Sequence, residues 1–432
     1  MSEAVTRPDR NRRAAELTIT ALRDVTGSQL YRRNAFRITG LPTDADRSSV
    51  RQRQRQVLAM LEAGVDLDLG HSDPVSVEEV RTAFERLLNH PHRRLVDEVF
   101  WLWGSTTSHC GCSQKLHQDH DAAVQAHSTV LALEARGDDL TDDDLARAEE
   151  LWAEARRLWG VVLLHTAFWD HIRARIQALD ERQLDESVLD ILREQVPLTL
   201  LQPLIDLVAT ATDEQGWLAD QARAWPGVPE RIIDEKLEDA AAPHYDAVNK
   251  VLEEAGEALD AEAPERAASI LYREGLPRLK QLEQVVPHHR HRRTARVRSR
   301  IALVFNNCAV LLMDRNGPAA QPNAGKWLDT ARTLTSDPHE RETIDANRAE
   351  LREMAEVFEL LRAQVSQLLA AGRPDLARAM LLRVKQQLAG GPGTAEIDQM
   401  LASLPERSVN GCAVLGFLLV VVVLVIMLAS LL

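Results

Sequence analysis

Apolar residues recur at three-to-four-residue intervals over most of the chain, which is the spacing of an amphipathic α-helix. The segment from Leu145 to Ile176 shows it well, because Trp152, Trp159 and Trp169 fall among leucines, valines and alanines at that interval. We expect these tryptophans to lie in a core. No stretch alternates β-branched and polar residues around a tight turn, as a β-hairpin would. The pattern predicts an all-α protein.

Breaks in this periodicity divide the chain into five parts. Proline, glycine and clusters of small polar residues interrupt helices, so they mark the boundaries. We predict a loose, Arg-rich N-terminus at 1–30, a small helical domain at 31–104, a helical middle region at 105–225, helical hairpins at 243–404 and an apolar tail at 411–432.

The hairpins of 243–404 carry a recurring pair of one small and one large apolar residue. An A-x-x-x-L spacing puts both on one helix face, where paired helices can approach closely. The pairs are Ala267 with Leu271, Ala324 with Leu328 and Ala331, and Ala377 with Leu381 and Val384. The pattern resembles tetratricopeptide repeats, although that family repeats every 34 residues and these alanines are more widely spaced. We expect irregular hairpins stacked as a short solenoid.

The tail at 411–432 has the composition of a transmembrane helix. It carries no charged residue and is mostly Val, Leu, Ile and Phe, including Val414, Phe417, Val421 and Ile426. Twenty-two helical residues reach about 33 Å, enough to cross a hydrocarbon core of about 30 Å. With no apolar run at the N-terminus, the sequence predicts a tail-anchored, single-pass protein with its bulk in the cytoplasm. The preference for Arg over Lys is typical of a GC-rich genome. It therefore favours a bacterial plasma membrane as the destination.

The charge of the chain limits its partners. Its 432 residues include 51 Lys and Arg against 65 Asp and Glu, giving −14, which makes nucleic-acid binding unlikely. The basic run at 287–300 is compatible with internal or partner salt bridges, a membrane surface or nucleic acid. Four scattered cysteines indicate a reducing compartment rather than a disulfide scaffold. Protein partners fit this composition best.

The segment from Asn34 to Trp103 resembles a J-domain, the module with which DnaJ-type co-chaperones engage DnaK-type ATPases. It opens with NAFRITGLPTDADRSSVRQRQRQVLAMLE and closes with VSVEEVRTAFERLLNHPHRRLVDEVFWLW. Residues Ala35 to Leu41 resemble the entry helix of that family, Arg51 to Leu61 its basic second helix, and Val80 to Leu88 its third helix, with His90, Pro91 and Arg94 at the exit.

The resemblance implies a chaperone partner but not its activation. Where the family has His-Pro-Asp, this chain reads His71, Ser72, Asp73 and Pro74. The family stimulates the chaperone ATPase through that tripeptide, so its loss implies binding without activation, or a shared fold alone. The basic residues Arg51, Arg53 and Arg55 are retained and could dock on an acidic partner, or could simply form a solvated helix face.

A cluster of cysteine and histidine follows this domain. His109, Cys110, Cys112, His117 and His120 supply the thiolate and imidazole donors that tetrahedral zinc prefers. The spacing is not one of the common zinc-finger patterns, so zinc is one hypothesis for a chain that otherwise needs no cofactor. A polar loop between domains is the other.

No catalytic signature accompanies these features. The phosphate-binding loop, the nucleophile elbow, the zinc-protease helix and the dinucleotide fingerprint are all absent from the sequence. We therefore predict a protein that is not an enzyme: a membrane-anchored, chaperone-associated adaptor for protein partners. The alternative is an enzyme or ligand-binding regulator with a site in the middle helices, around His165, Trp169 and His171.

Overall fold

A computed structural model describes residues 7–63, 75–105, 110–210 and 216–405. Within these ranges every regular element is helical and there is no strand, so the predicted all-α class is confirmed. The described residues form two compact units that divide between Ala241 and Ala242.

The first unit contains eleven α-helices among its described residues. They are α1 (Arg7–Val25), α2 (Ala35–Thr39), α3 (Arg47–Glu62), α4 (Val77–Asn89), α5 (Pro91–Val99), α6 (Gln114–Glu134), α7 (Asp142–Leu164), α8 (Thr166–Leu179), α9 (Glu186–Val208), α10 (Trp217–Arg223) and α11 (Glu230–Ala240).

The second unit contains eight more in the part that the structure describes. They are α12 (Ala242–Asp260), α13 (Pro264–Ile270), α14 (Leu276–Val285), α15 (Arg292–Asn316), α16 (Gln321–Leu334), α17 (Pro338–Ala370), α18 (Pro374–Leu388) and α19 (Thr394–Ser403), with a π-helical turn at Leu271–Gly275 between α13 and α14.

The N-terminus differs from the loose segment predicted for 1–30, because it contains the 19-residue helix α1. Ala14, Thr18, Ala21, Leu22 and Val25 lie on one face and are buried. That face packs against α9 and α5. The many arginines of this segment obscured an ordinary amphipathic spacing, which is why composition alone was misleading.

Helices α2 to α5 form the block that resembles a J-domain. Its core includes Phe36, Val50, Val57, Val80 and Phe84. Side chains cap two of its helices: the Asp46 side chain accepts from the backbone of Ser49 at 2.7 Å, and Ser76 and Glu79 form a capping box. The tetrapeptide from His71 to Pro74 lies outside the described residues.

Helix α5 is buried on nearly all sides although it is strongly polar. His92, Arg93, Arg94, Asp97 and Glu98 are each at most 6% exposed. Arg93 donates to Asp97 at 3.1 Å, and Glu98 pairs with Arg175 of α8. Because unpaired charges are expensive to bury, the first pair compensates two charges within α5, and the second joins α5 to α8.

The middle helices pack around the predicted tryptophans. Trp152 and Trp159 are fully buried and Trp169 is 8% exposed, so their assignment to a core is confirmed. Helices α6 and α7 pack along each other over much of their length. This pairing fixes the position of α6, which begins two residues after Cys112.

In the second unit, consecutive helices pack on one another from α15 to α19. The small and large residues that the A-x-x-x-L spacing placed on one face are all buried: Ala267, Leu271, Ala324, Leu328, Ala331, Ala377, Leu381 and Val384. Several arginines of the basic run have partners inside this unit. Arg298 contacts Glu283 at 2.8 Å, and Arg293 lies over the ring of Tyr245.

The structure contradicts the predicted membrane anchor. Among the residues it describes, no helix combines the length and the apolar character needed to cross a bilayer. Helix α17 has 33 residues, but it carries charged side chains along its length, and each would cost roughly 2.5–3.5 kcal/mol at a bilayer centre. Positions 411–432, with Val414, Phe417, Val421 and Ile426, lie outside the described residues. The single-pass, tail-anchored assignment and the bacterial plasma-membrane localisation are therefore withdrawn.

The packing of the second unit makes a prediction at Gly317. Its φ of +56° and ψ of −134° suit glycine, and a Cβ there would lie 2.5 Å from the Gly393 Cα. Backbone strain and overpacking together should make Gly317→Ala destabilising by about 3–5 kcal/mol. Gly372 also has a positive φ, but no atom lies within 4 Å of its would-be Cβ. Gly372→Ala should cost only about 1–2 kcal/mol. Urea unfolding at pH 7 measures both, and equal losses would contradict the close approach.

Candidate metal centre

Four side chains with metal-binding atoms converge beside the N-terminus of α6. Cys110 and Cys112 lie in the loop before α6, His117 lies in its first turn and His171 lies in α8. One sulfur or nitrogen atom from each lies within 4.8 Å of all the others. We call these four residues the Cys/His cluster.

The distances inside the Cys/His cluster approach those of a tetrahedral zinc site. The Cys110 sulfur lies 3.3 Å from Nε2 of His117, and the Cys112 sulfur lies 3.3 Å from Nδ1 of His171. Zinc bonds of about 2.3 Å to sulfur and about 2.0 Å to nitrogen place such pairs about 3.5 Å apart in a tetrahedron. The pairs therefore need little movement to share one ion.

A short chain of hydrogen bonds orients His117. Its Nδ1 lies 2.9 Å from the carbonyl oxygen of Gly104, so Nδ1 carries the proton and the lone pair of Nε2 faces Cys110. The carboxylate of Asp121 accepts from the backbone of Trp103 at 2.7 Å and of Gly104 at 2.9 Å. Asp121 thus fixes the backbone at Gly104, whose carbonyl orients the His117 imidazole. Residues outside the ligand shell commonly orient metal ligands in this way.

The buried environment keeps the imidazole of His171, a potential metal ligand, neutral. Burial, reinforced by the neighbouring His117, lowers the pKa of His171 to about 3, so its imidazole has a free lone pair at neutral pH. Burial also raises the pKa of Cys112 to about 12, with Cys110 adding to the effect. A divalent cation reverses the preference of a thiol, because a coordinating sulfur gives up its proton.

Trp103 is stacked between two histidines at the edge of the cluster. Its ring centroid lies 3.7 Å from that of His120 and 3.7 Å from that of His171. The indole Nε1 donates to the Glu98 carbonyl at 2.9 Å. Trp103 is thus anchored to α5 while it braces one residue of the Cys/His cluster.

The structure brings together three of the five predicted ligands. Cys110, Cys112 and His117 belong to the cluster, whereas His109 lies outside the described residues. His120 faces elsewhere: its Nε2 lies 2.9 Å from the Val99 carbonyl and its ring stacks on Trp103. Although residues three apart are neighbours on a helix, the contacts of His120 turn its ring away from the four atoms that converge.

The fourth member, His171, was missed as a ligand. It lies 59 residues after Cys112, so no local spacing marks it. The sequence singled it out only with His165, as part of a different hypothetical site. His165 is exposed and accepts a hydrogen bond from the Ala167 backbone at the start of α8. The two histidines do not share a site.

The predicted basic face of α3 is divided between structure and solvent. Arg53 donates to the Thr39 carbonyl at 3.3 Å and is partly buried. Arg51 and Arg55 are exposed and lie four residues apart, on one side of the helix. Only these two remain for a charged partner.

Comparison with known proteins identifies no relative: no family model, no curated protein and no solved structure matches the chain.

Another buried histidine of α6 gives a pH prediction. His127 is fully buried, its Nδ1 lies 2.8 Å from the Tyr31 hydroxyl, and burial lowers its pKa to about 3. As the pH falls below about 6.5, His127 binds a proton in the unfolded chain but stays neutral in the folded chain. Stability from His127 is therefore complete above pH 6.5 and falls towards pH 3, by up to about 1.4 kcal/mol per pH unit.

Glutamine at this position can still accept from Tyr31 but does not titrate. We expect His127→Gln to reduce the pH slope of unfolding free energy between about pH 6 and 4.5 by close to one proton. Urea unfolding at several pH values measures it. An unaltered slope in His127→Gln would show that His127 is not held neutral.

Proposed function

We propose that this chain is an all-helical adaptor for protein partners whose first unit is stabilised by one zinc ion. The observation that carries the zinc assignment is the Cys/His cluster, in which two sulfur and two nitrogen donors lie within 4.8 Å of one another. Two thiolates with two imidazoles form a donor set typical of structural zinc.

The metal would act as a structural link. The cluster draws on the loop before α6 and the first turn of α6, which are adjacent in sequence, and on α8, which is more than 50 residues further along the chain. An ion bound by all four would hold the loop against α8, where burial alone contributes little because both cysteines are partly exposed. Zinc held by such ligands contributes directly to folding stability.

The number of ligands supports a structural rather than a catalytic role. Catalytic zinc keeps a position open for water or substrate, usually with three protein ligands. The Cys/His cluster offers four, which fill a tetrahedron. Together with the absence of catalytic motifs in the sequence, this supports the proposal that the protein is not an enzyme.

Two surfaces support the adaptor role. Arg51 and Arg55 form an exposed basic pair on α3, suited to an acidic protein. By its resemblance to a J-domain, this block would bind a DnaK-type chaperone. The stacked helices of the second unit, which resemble tetratricopeptide repeats, would provide an extended surface for a client or partner.

Zinc analysis of the purified full chain tests the metal proposal. We expect about one zinc per wild-type chain, and little zinc in Cys110→Ser or His171→Gln. A ligand at 100 times its Kd stabilises a fold by about 2.7 kcal/mol. A chelator should therefore lower the melting temperature of the wild type clearly and leave these two variants almost unaffected.

Matched controls separate metal loss from simple damage. Cys308 is a buried cysteine of the second unit, and His127 is a buried histidine of the first unit outside the cluster. Cys308→Ser and His127→Gln should both lose stability yet keep one zinc. A wild-type chain without zinc after purification and reconstitution would overturn the proposal, as would full zinc occupancy in the cluster variants.

The chaperone proposal has a separate test. The wild-type chain should bind a DnaK-type chaperone in a titration without raising its ATPase rate, because the sequence lacks His-Pro-Asp. Reversing both charges in Arg51→Glu with Arg55→Glu should weaken binding at least about tenfold, since like charges then face each other. The exposed pair Arg182→Glu with Arg352→Glu makes the same change in net charge elsewhere and should leave binding intact. Equal effects of the two pairs would refute a specific basic surface.

A further inference from the structure

A polar cavity of about 160 Å³ lies in the first unit, apart from the Cys/His cluster. Its walls come from the loop before α3, from the end of α4 with the first turn of α5, and from the last turn of α8 and the residues after it. Six of the lining residues are charged: Asp44, Asp46, Arg47, Arg94, Arg175 and Glu181. Their formal charges cancel.

Two buried guanidinium groups form the inner wall. Arg94 is 4% exposed and Arg175 is 6% exposed. Arg175 is paired with Glu98, but Arg94 donates to the carbonyl oxygens of Leu87 and Ala45. Its Nε has no hydrogen-bond partner within the part of the chain that the structure describes. A buried donor left unsatisfied costs about 1–3 kcal/mol, so the Arg94 side chain retains unused hydrogen-bonding capacity beside the cavity.

The outer wall has the opposite character. Asp46 is exposed, while Asp44 and Glu181 are partly buried, so these three carboxylates are closer to solvent than the two guanidinium groups. Arg47 contacts Glu181 at 3.2 Å and donates to the Leu88 carbonyl at 2.6 Å, which places this ion pair at the cavity. The arrangement is positive inside and largely negative outside.

The size and the remaining walls limit the ligand. A volume of 160 Å³ corresponds to about five water molecules, so only a small molecule fits. Leu87, Leu88, Pro91, Ala178 and Leu179 supply apolar surface between the charged groups. A short aliphatic group would contact these side chains.

We propose that this cavity binds a free α-amino acid with a short aliphatic side chain, its carboxylate towards Arg94 and Arg175 and its ammonium group towards Asp46 and Glu181. A zwitterion leaves the zero net charge of the walls unchanged, whereas a simple anion or cation would not. Guanidinium groups bind carboxylates through strong charge-assisted hydrogen bonds. The cavity shares no residue with the Cys/His cluster and belongs to the first unit alone.

Isothermal titration of the full chain with L-valine tests the proposal. Isovalerate lacks the ammonium group and isobutylamine lacks the carboxylate, so each should bind at least about tenfold more weakly than valine. Absence of saturable valine binding would overturn the proposal. Isovalerate binding as tightly as valine would also overturn it, because the cavity would then be a general anion site.

A matched pair of variants locates the binding site. Asp46 caps α3 by accepting from the Ser49 backbone, and Asp185 caps α9 by accepting from the Ser187 backbone, but only Asp46 lines the cavity. Asparagine caps helices about as well as aspartate, so both Asp46→Asn and Asp185→Asn should fold normally. Asp46→Asn should weaken valine binding by about fivefold, and Asp185→Asn should not change it. Equal affinity in the two variants would place valine elsewhere and refute the assignment.

Discussion

The buried ion pair between Glu98 and Arg175 joins the block of α2 to α5 to helix α8, and the two candidate sites depend on that junction. A second contact, from Nη2 of Arg175 to Glu98, is 3.4 Å long. Burial raises the pKa of Glu98, and the Arg175 charge opposes that shift. Removing either partner would leave a buried charge alone, which costs about 3–5 kcal/mol. The pair therefore sets the rotation of α8. The backbone carbonyl of Glu98 also accepts a hydrogen bond from the Trp103 indole.

The position of His171 follows from this rotation. It precedes Arg175 by four residues, so both side chains leave the same face of α8. With Arg175 held by α5, His171 meets the cysteine loop and stacks on Trp103. Nothing near His171 in the sequence indicates this encounter, because the contact is made by packing between distant helices. Local spacing could supply Cys110, Cys112 and His117, and could not supply the fourth member.

The same distinction separates the fold features that could be predicted from those that could not. Helical periodicity, the Asp46 and Ser76 caps and the buried face of Ala324 and Leu328 are local, and the structure agrees with them. Helix α5 is the opposite case. Its polar sequence is typical of a solvated helix, yet it is buried, because Glu98 pairs with Arg175 of α8 and Arg94 donates to backbone carbonyls outside the helix. A hydrophobic pattern records no such pairing.

Placing His171 and Arg175 on one face has a thermodynamic consequence for the proposed ligands. Zinc held through His171 and an amino acid held through Arg175 would both favour the rotation of α8 that the Glu98 pair imposes. Two ligands that stabilise the same arrangement each raise the affinity of the other by the same factor. The size of that factor depends on how freely α8 turns when neither is bound. The ion pair already restricts that rotation, so the coupling between the two sites is expected to be small in the wild-type chain and larger wherever the pair is weakened.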